Sequence, residues 1–233
     1  MLLEKLLSVL STYAINRDDV TNIEINNIHF DSREIKRDGL FIAIKGQLCD
    51  GHQYIESAIK NGAIAIIVEE FSDVDILQIK VNNTRSVLAD LSSEFYNNPS
   101  EELFLVGITA TNGKTTTSFM TKAIFDAYHI SSGIIGTVEV RYKDVIIPSI
   151  LTTPESHDLQ MHMRHMVEHE VTDVIMEVSS HALEMGRIRN LKYNIVTFNN
   201  ISKEHIDQHG CYENYCAIKS QLITEADKET ILS

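Results

Sequence analysis

Leu103-Phe104-Leu105-Val106-Gly107-Ile108-Thr109-Ala110-Thr111-Asn112-Gly113-Lys114-Thr115-Thr116 passes from an apolar run into a short polar loop. Leu103 to Ile108 reads as a buried strand, because an unbroken apolar run of this length suits a strand covered on both faces. Thr115 to Tyr128 reads as a helix, so the loop Ala110 to Lys114 lies between strand and helix. In that context a Gly-Lys-Thr sequence can cradle phosphate. Backbone N–H groups at the loop and helix N-terminus point at the phosphate oxygens. Gly113 lets the backbone approach closely. Lys114 neutralises β- and γ-phosphates, and the Thr115 hydroxyl can ligate Mg²⁺. The ordinary Walker A pattern wants glycine where Ile108 stands. On this segment alone, a plain strand-loop-helix turn remains the alternative.

The same alternation of strand and helix runs through the chain. Phe41 to Ile44 and Ile64 to Val68 are strands; Gln53 to Asn61 and Thr84 to Tyr96 are helices, the latter with Thr84 as a possible N-cap. Leu2, Leu3, Leu6, Leu7 and Leu10 recur at helical spacing. Asn97-Asn98-Pro99-Ser100 breaks the pattern and predicts a domain boundary, giving domains 1–100 and 101–233. Val174 to Val178 and Tyr193 to Phe198 are further strands, and Glu213 to Ala226 a further helix. Buried strands separated by helices predict an α/β fold with a mainly parallel sheet covered on both faces.

The 233 residues carry a formal net charge of -13, which excludes the basic face of a general nucleic-acid binder. It leaves room for an anion held by a few local donors. Cys49, Cys211 and Cys216 fit no zinc spacing and read as reduced thiols. Charge interrupts the apolar start, and no apolar run is long enough to span a bilayer. The expectation is a cytoplasmic protein without membrane partners.

Several further blocks carry chemistry. Thr152-Thr153-Pro154-Glu155 offers adjacent hydroxyls before a rigid proline, or else a helix start with Thr153 as cap and Pro154 in the first turn. Glu177-Val178-Ser179-Ser180-His181-Ala182-Leu183, followed by Arg187, ends an apolar strand, where α/β sheets place their sites. A carboxylate there is hard to explain as core unless it binds a cation. Phe198 to Gly210 contains His205, Asp207 and His209, and Tyr215-Cys216-Ala217-Ile218-Lys219 follows. Near the start stand His29-Phe30-Asp31-Ser32-Arg33, then Gly39 to Gly46, then Asp50-Gly51-His52. His162, His165 and His169 share one face of a predicted helix, either as a metal site or as a solvated face.

Together these blocks resemble the Mur ligase family. The family's phosphate loop, Gly-Thr-Asn-Gly-Lys-Thr, is matched by Thr111, Asn112, Gly113, Lys114 and Thr115, with Ala110 in place of its first glycine. A left-handed backbone at Ala110 would cost about 1–2 kcal/mol. The resemblance is closest to the tripeptide-synthetase branch, although that branch usually has Pro-Gly-Asp where Arg37-Asp38-Gly39 stands. It implies an N-terminal UDP-sugar-binding domain, a P-loop central domain, and a C-terminal domain absent from this chain. The implied reaction is ATP-dependent. A diamino acid, meso-diaminopimelate or L-lysine, is joined to UDP-MurNAc-L-Ala-D-Glu through an acyl phosphate. By the same resemblance Thr111 to Thr116 bind ATP. Thr115, Glu177, His205 and a carbamylated Lys219 hold Mg²⁺, and Lys114, Lys219 and His205 act in catalysis. Ser32, Arg33, Lys45, His52, Thr152, Thr153, Ser179 and Arg187 bind the UDP-muramyl dipeptide. A nucleotide-binding remnant without turnover, or half of a split ligase completed by a separate chain, stands as the alternative.

Overall fold

The computed structural model describes residues 1–17, 20–46, 49–202, 210–224 and 231–232, the last pair as backbone. It forms two compact units, Met1–Asn97 and Asn98–Ser233. Both are α/β with mainly parallel sheets. Among the described residues no helix is long and apolar enough to cross a membrane.

The first unit is built on β1 (Ala14–Ile15), β2 (Asn27–His29), β3 (Gly39–Ile42), β4 (Ala63–Val68) and β5 (Leu77–Lys80), in the order β1-β5-β4-β3-β2. β2 to β5 are mutually parallel, and β1 closes the edge antiparallel to β5. Alternate residues of the apolar runs bury opposite faces. Leu40, Ile42, Ala65 and Ile67 pack with α1 (Leu3–Leu7) and α3 (Thr84–Phe95). Phe41, Ala43, Ile66 and Val68 pack with α2 (Ile55–Asn61). That two-sided burial is why these runs lack polar alternation. The Arg37-Asp38-Gly39 turn is resolved without a glycine at its centre: Asp38 takes the left-handed backbone, φ 58°. Aspartate tolerates that region better than most residues. Gly39 is needed for space, since a Cβ there would lie 2.6 Å from Asn27 Oδ1 and 2.8 Å from Lys36 O.

The second unit contains β6 (Phe104–Thr109), α4 (Lys114–Ala127), β7 (Ser132–Ile135), β8 (Glu139–Tyr142), β9 (Val145–Pro148), α5 (Ser156–Glu168), β10 (Asp173–Glu177), α6 (Ser180–Glu184), β11 (Ile195–Phe198), α7 (Tyr212–Thr224) and β12 (Ile231–Leu232). The sheet order is β12-β11-β6-β10-β7-β8-β9, parallel from β12 to β7 and antiparallel beyond. Leu105, Val174 and Met176 face α5 and α7 through Leu159, Met163, Met166, Ile218 and Leu222. Val106, Ile108 and Ile175 face Phe125 of α4. The chain leaves β6 for β7 on one side and later returns as β11 on the other. The sheet's direction of growth therefore reverses at β6, and such a switch point leaves a crevice at the strands' carboxyl ends.

Local expectations need correction at several points. The α3 cap is Asn83, whose Oδ1 accepts from Ser86 N–H; Thr84 instead sends its N–H and hydroxyl to Glu69. α5 starts at Ser156 with Glu155 as its N-cap, so Pro154 lies outside it and Thr153 is not its cap. The three helical histidines do not form one solvated face. His162 is buried, with its imidazole pKa pushed down by desolvation, while His169 Nδ1 lies 2.7 Å from His165 O. Tyr193 precedes β11, and its ring covers Gly107, where a Cβ would meet ring carbon Cε1 at 2.7 Å.

Candidate phosphate-loop site

The register sets Glu177 of β10 beside Ile108 of β6, and Phe198 of β11 beside Thr109. Residues following these three strands therefore meet at one sheet edge. The loop after β6 ends on Gly113, the N-cap of α4, with φ 85° and open space around its missing Cβ. Among the described residues no side chain caps α4. Its first N–H groups, which lack intrahelical partners, are thus left for an external acceptor. Ala110 is fully buried and keeps a negative φ, so the left-handed cost expected for alanine there does not arise. Lys114 bends back over the loop and donates to Ala110 O at 2.9 Å and Thr111 O at 3.2 Å. Burial lowers its pKa, with the Glu177 charge opposing that shift.

Glu177 is fully buried and saturated with donors. Thr115 Oγ1 and Thr137 Oγ1 each donate to Oε2 at 2.9 Å, while Ser118 Oγ (3.3 Å) and Thr137 N–H (3.2 Å) reach Oε1. These donors give the buried carboxylate oxygens the hydrogen bonds that burial would otherwise deny them. The same oxygens form a hard donor set suited to Mg²⁺. Gly136 makes room for this carboxylate, since a Cβ there would stand 2.2 Å from Oε1. Thr152 Oγ1 lies 3.1 Å from Thr137 Oγ1 and is the donor of that pair, since the Thr137 proton is on Glu177, and Thr153 Oγ1 donates to Glu177 O at 2.8 Å.

Lys219 of α7 is 1% exposed. Its ammonium donates to Ala110 O at 2.7 Å and Thr109 Oγ1 at 3.2 Å, with Nζ 5.2 Å from the Tyr215 ring centroid. Desolvation, then the positive charge of Lys114, pushes its pKa down to about 7. The two lysines share one carbonyl, that of Ala110. Ser179 caps α6, accepting from Ala182 N–H. Arg187, expected to contact the peptide substrate, is buried here, with Nε 3.0 Å from Glu155 Oε1 and Nη1 donating to Thr153 O. Thr116 is exposed on the first turn of α4. His205 lies outside the described residues, as do Asp207 and His209.

The first unit holds a cavity of about 640 Å³ bordered by Phe30, Asp31, Ser32, Arg33 and Tyr54, among others. Ser32 is buried, and exposed Arg33 forks onto Asp31, which lowers the Asp31 pKa. Neither Lys45 nor His52 borders the cavity. Lys45 bridges Asp50 through the backbone. His52 spends both ring nitrogens internally, Nδ1 2.6 Å from Asp50 Oδ1 and Nε2 accepting from Glu69 N–H. These contacts make His52 a brace behind the cavity rather than one of its walls.

Residues 108–232 match the Mur ligase middle domain, and residues 24–96 match the Mur ligase family catalytic domain. The chain belongs to the Mur ligase family. It is 41% identical over 91% of its length to the UDP-N-acetylmuramoyl-L-alanyl-D-glutamate--2,6-diaminopimelate ligase of Caldanaerobacter subterraneus subsp. tengcongensis, covering 44% of that protein. A solved ligase of the same name superposes with TM-score 0.75 at 21% identity, over 89% of this chain and 47% of that one. The MurF ligase from Thermotoga maritima, solved in complex with ADP, gives TM-score 0.63 at 21% identity, over 91% and 46%. The chain spans less than half the length of the curated relatives it matches.

Some members of this Mur ligase site escape a sequence reading. Thr137 and Ser118 hold Glu177, yet neither falls in a dense motif. Thr137 follows Gly136 directly after β7, and a Gly-Thr pair at a strand's carboxyl end was the available signal. Asn200 and Tyr215 brace the loop through bonds to Asn112 and Thr111, pairings more than 80 residues apart in sequence that periodicity does not report.

Proposed function

We propose that the chain forms the nucleotide-handling part of an ATP-dependent Mur ligase that extends UDP-MurNAc-L-Ala-D-Glu by a diamino acid. The observation that carries this reading is the uncapped N-terminus of α4, with Lys114 and Thr115, set beside the buried Glu177 at a sheet switch point. The N–H groups from Gly113 onward and the Lys114 ammonium bind the phosphate tail. Thr115, Glu177, His205 and Lys219 as its carbamate hold Mg²⁺, which neutralises charge on the phosphates. Lys219 suits the carbamate role because its depressed pKa supplies the neutral amine that adds to CO₂. The carbamate's two anionic oxygens replace an ammonium that would repel the metal.

In this reading the D-glutamyl carboxylate takes the γ-phosphoryl group and ADP departs. The amine of the diamino acid then attacks the acyl carbon, and phosphate leaves. Positioning and charge stabilisation carry most of such a transfer. The cavity over Ser32 and Arg33 takes the uridine nucleotide. Thr152, Thr153 and Ser179 line the route of the peptide, and Arg187 orders that segment through Glu155. The relatives' names support diaminopimelate as the added amino acid. Turnover needs the portion that the relatives have beyond this match, in the same or a separate chain, and the reading places the enzyme in the cytoplasm.

The test is phosphate release from ATP and Mg²⁺ with UDP-MurNAc-L-Ala-D-Glu and diaminopimelate or lysine. The 233-residue chain should bind the UDP substrate and ATP while turning over weakly or not at all. Addition of the portion that the relatives carry beyond this match should restore release. Absence of both nucleotide affinities would overturn the reading.

A further inference from the structure

We propose that Asn200 is a positioning residue that holds the phosphate loop in its binding shape before nucleotide arrives. This rests on the reading of that loop as a nucleotide site. Asn200 stands two residues beyond β11 and grips Asn112 from both sides. Its Oδ1 accepts from Asn112 N–H at 3.1 Å, and its Nδ2 donates to Asn112 O at 2.9 Å. Its own carbonyl accepts from Thr111 N–H at 3.1 Å. Thr111 is fastened further, because its hydroxyl accepts from Ser202 N–H at 3.0 Å and lies 3.0 Å from the Tyr215 hydroxyl.

The primary amide of Asn200 accepts from the Asn112 N–H through its oxygen and donates to the C=O of the same residue through its nitrogen. Aspartate would keep the first bond and set a carboxylate against the carbonyl. Leucine would make neither. The grip also decides which amides meet the phosphate. The Asn112 N–H is turned toward β11, so the anion is left to the N–H groups from Gly113 onward. Among the described residues nothing stands within 4 Å of the position a Gly113 Cβ would take. The left-handed turn there therefore takes its direction from the residues on either side: α4 after it, and the clamped Thr111–Asn112 pair before it. A loop ordered in advance loses less conformational freedom on binding, which appears as affinity.

The experiment measures MgADP affinity by calorimetry and amide hydrogen exchange by NMR, on the wild-type chain, Asn200→Ala and Asn200→Asp. For Asn200→Ala, the two hydrogen bonds lost between an exposed side chain and the loop predict MgADP binding weaker by about tenfold. Exchange at Asn112 should quicken before any nucleotide is added, with the melting temperature near that of the wild type. Asn200→Asp should keep Asn112 partly protected yet bind MgADP weakly, through its misplaced charge. If Asn200→Ala binds as tightly as the wild type, or leaves Asn112 exchange unchanged, the proposal is overturned. Failure of the wild type itself to bind MgADP would instead sink the functional reading, while the exchange data would still decide whether Asn200 holds the loop. Should the alanine variant not fold, the aspartate variant carries the same comparison.

Discussion

Replacing Lys219 by methionine should flatten the pH dependence of stability between pH 7 and 9. Lys219 has a folded pKa of about 7 against an ordinary value of 10.5. Below pH 7 both folded and unfolded chains carry this proton, and the full cost of burying the ammonium is present. Between the two values the unfolded chain holds a proton the folded chain has released, so stability rises with pH. Integrated from pH 7 to 9, a shift of this size contributes on the order of 2 kcal/mol. Methionine has a similar length and no charge, so it removes that slope and loses the bonds to Ala110 and Thr109. Urea unfolding of both proteins at pH 7, 8 and 9, in CO₂-free buffer, reads the difference. The wild type should gain about 2 kcal/mol relative to the variant over that interval. Added bicarbonate should stabilise the wild type alone at the alkaline end, where the neutral amine can form a carbamate. Parallel slopes would refute the buried, proton-poor lysine from which the carbamate reading starts.

Three further outcomes follow from contacts in the second unit. Gly136→Ala places a Cβ against Glu177 Oε1, and should cost about 1–3 kcal/mol in thermal unfolding and weaken Mg²⁺-dependent nucleotide binding. Glu155→Gln removes the partly buried charged partner of buried Arg187, and should destabilise by roughly 2 kcal/mol, with much of the loss recovered when Arg187→Met is added. A Gly107→Ala chain should unfold earlier in a melting scan, because the Tyr193 ring occupies the space a Cβ needs, and Tyr193→Leu should restore part of the loss.

The apolar runs from 41 to 44, 64 to 68, 103 to 108 and 174 to 178 were legible because each strand is buried on both faces, which leaves no polar residues to blur the pattern. The β7–β9 ribbon was not legible. Its last strand is exposed at Ile146 and Ile147, and its members are four residues long. Helix starts were missed for a related reason. Asn83 and Thr84 are both competent caps by composition, and only Glu69, distant in sequence, decides that Thr84 turns inward. Motif reading placed Glu177 at a strand end but could not supply Thr137 and Ser118, which the fold brings from other elements. The pairing of Arg187 with Glu155 was likewise hidden, because nothing in the local sequence brings the two together.

A crystal structure of the chain grown with MgADP bears most directly on the central claim. The β-phosphate should lie against the N–H groups of Gly113, Lys114 and Thr115, with Lys114 swung off the Ala110 carbonyl onto the phosphate. The metal should lie between Thr115 and the phosphate oxygens. Nucleotide bound elsewhere, or Lys114 still folded onto Ala110 and Thr111 with MgADP at saturating concentration, would contradict that claim.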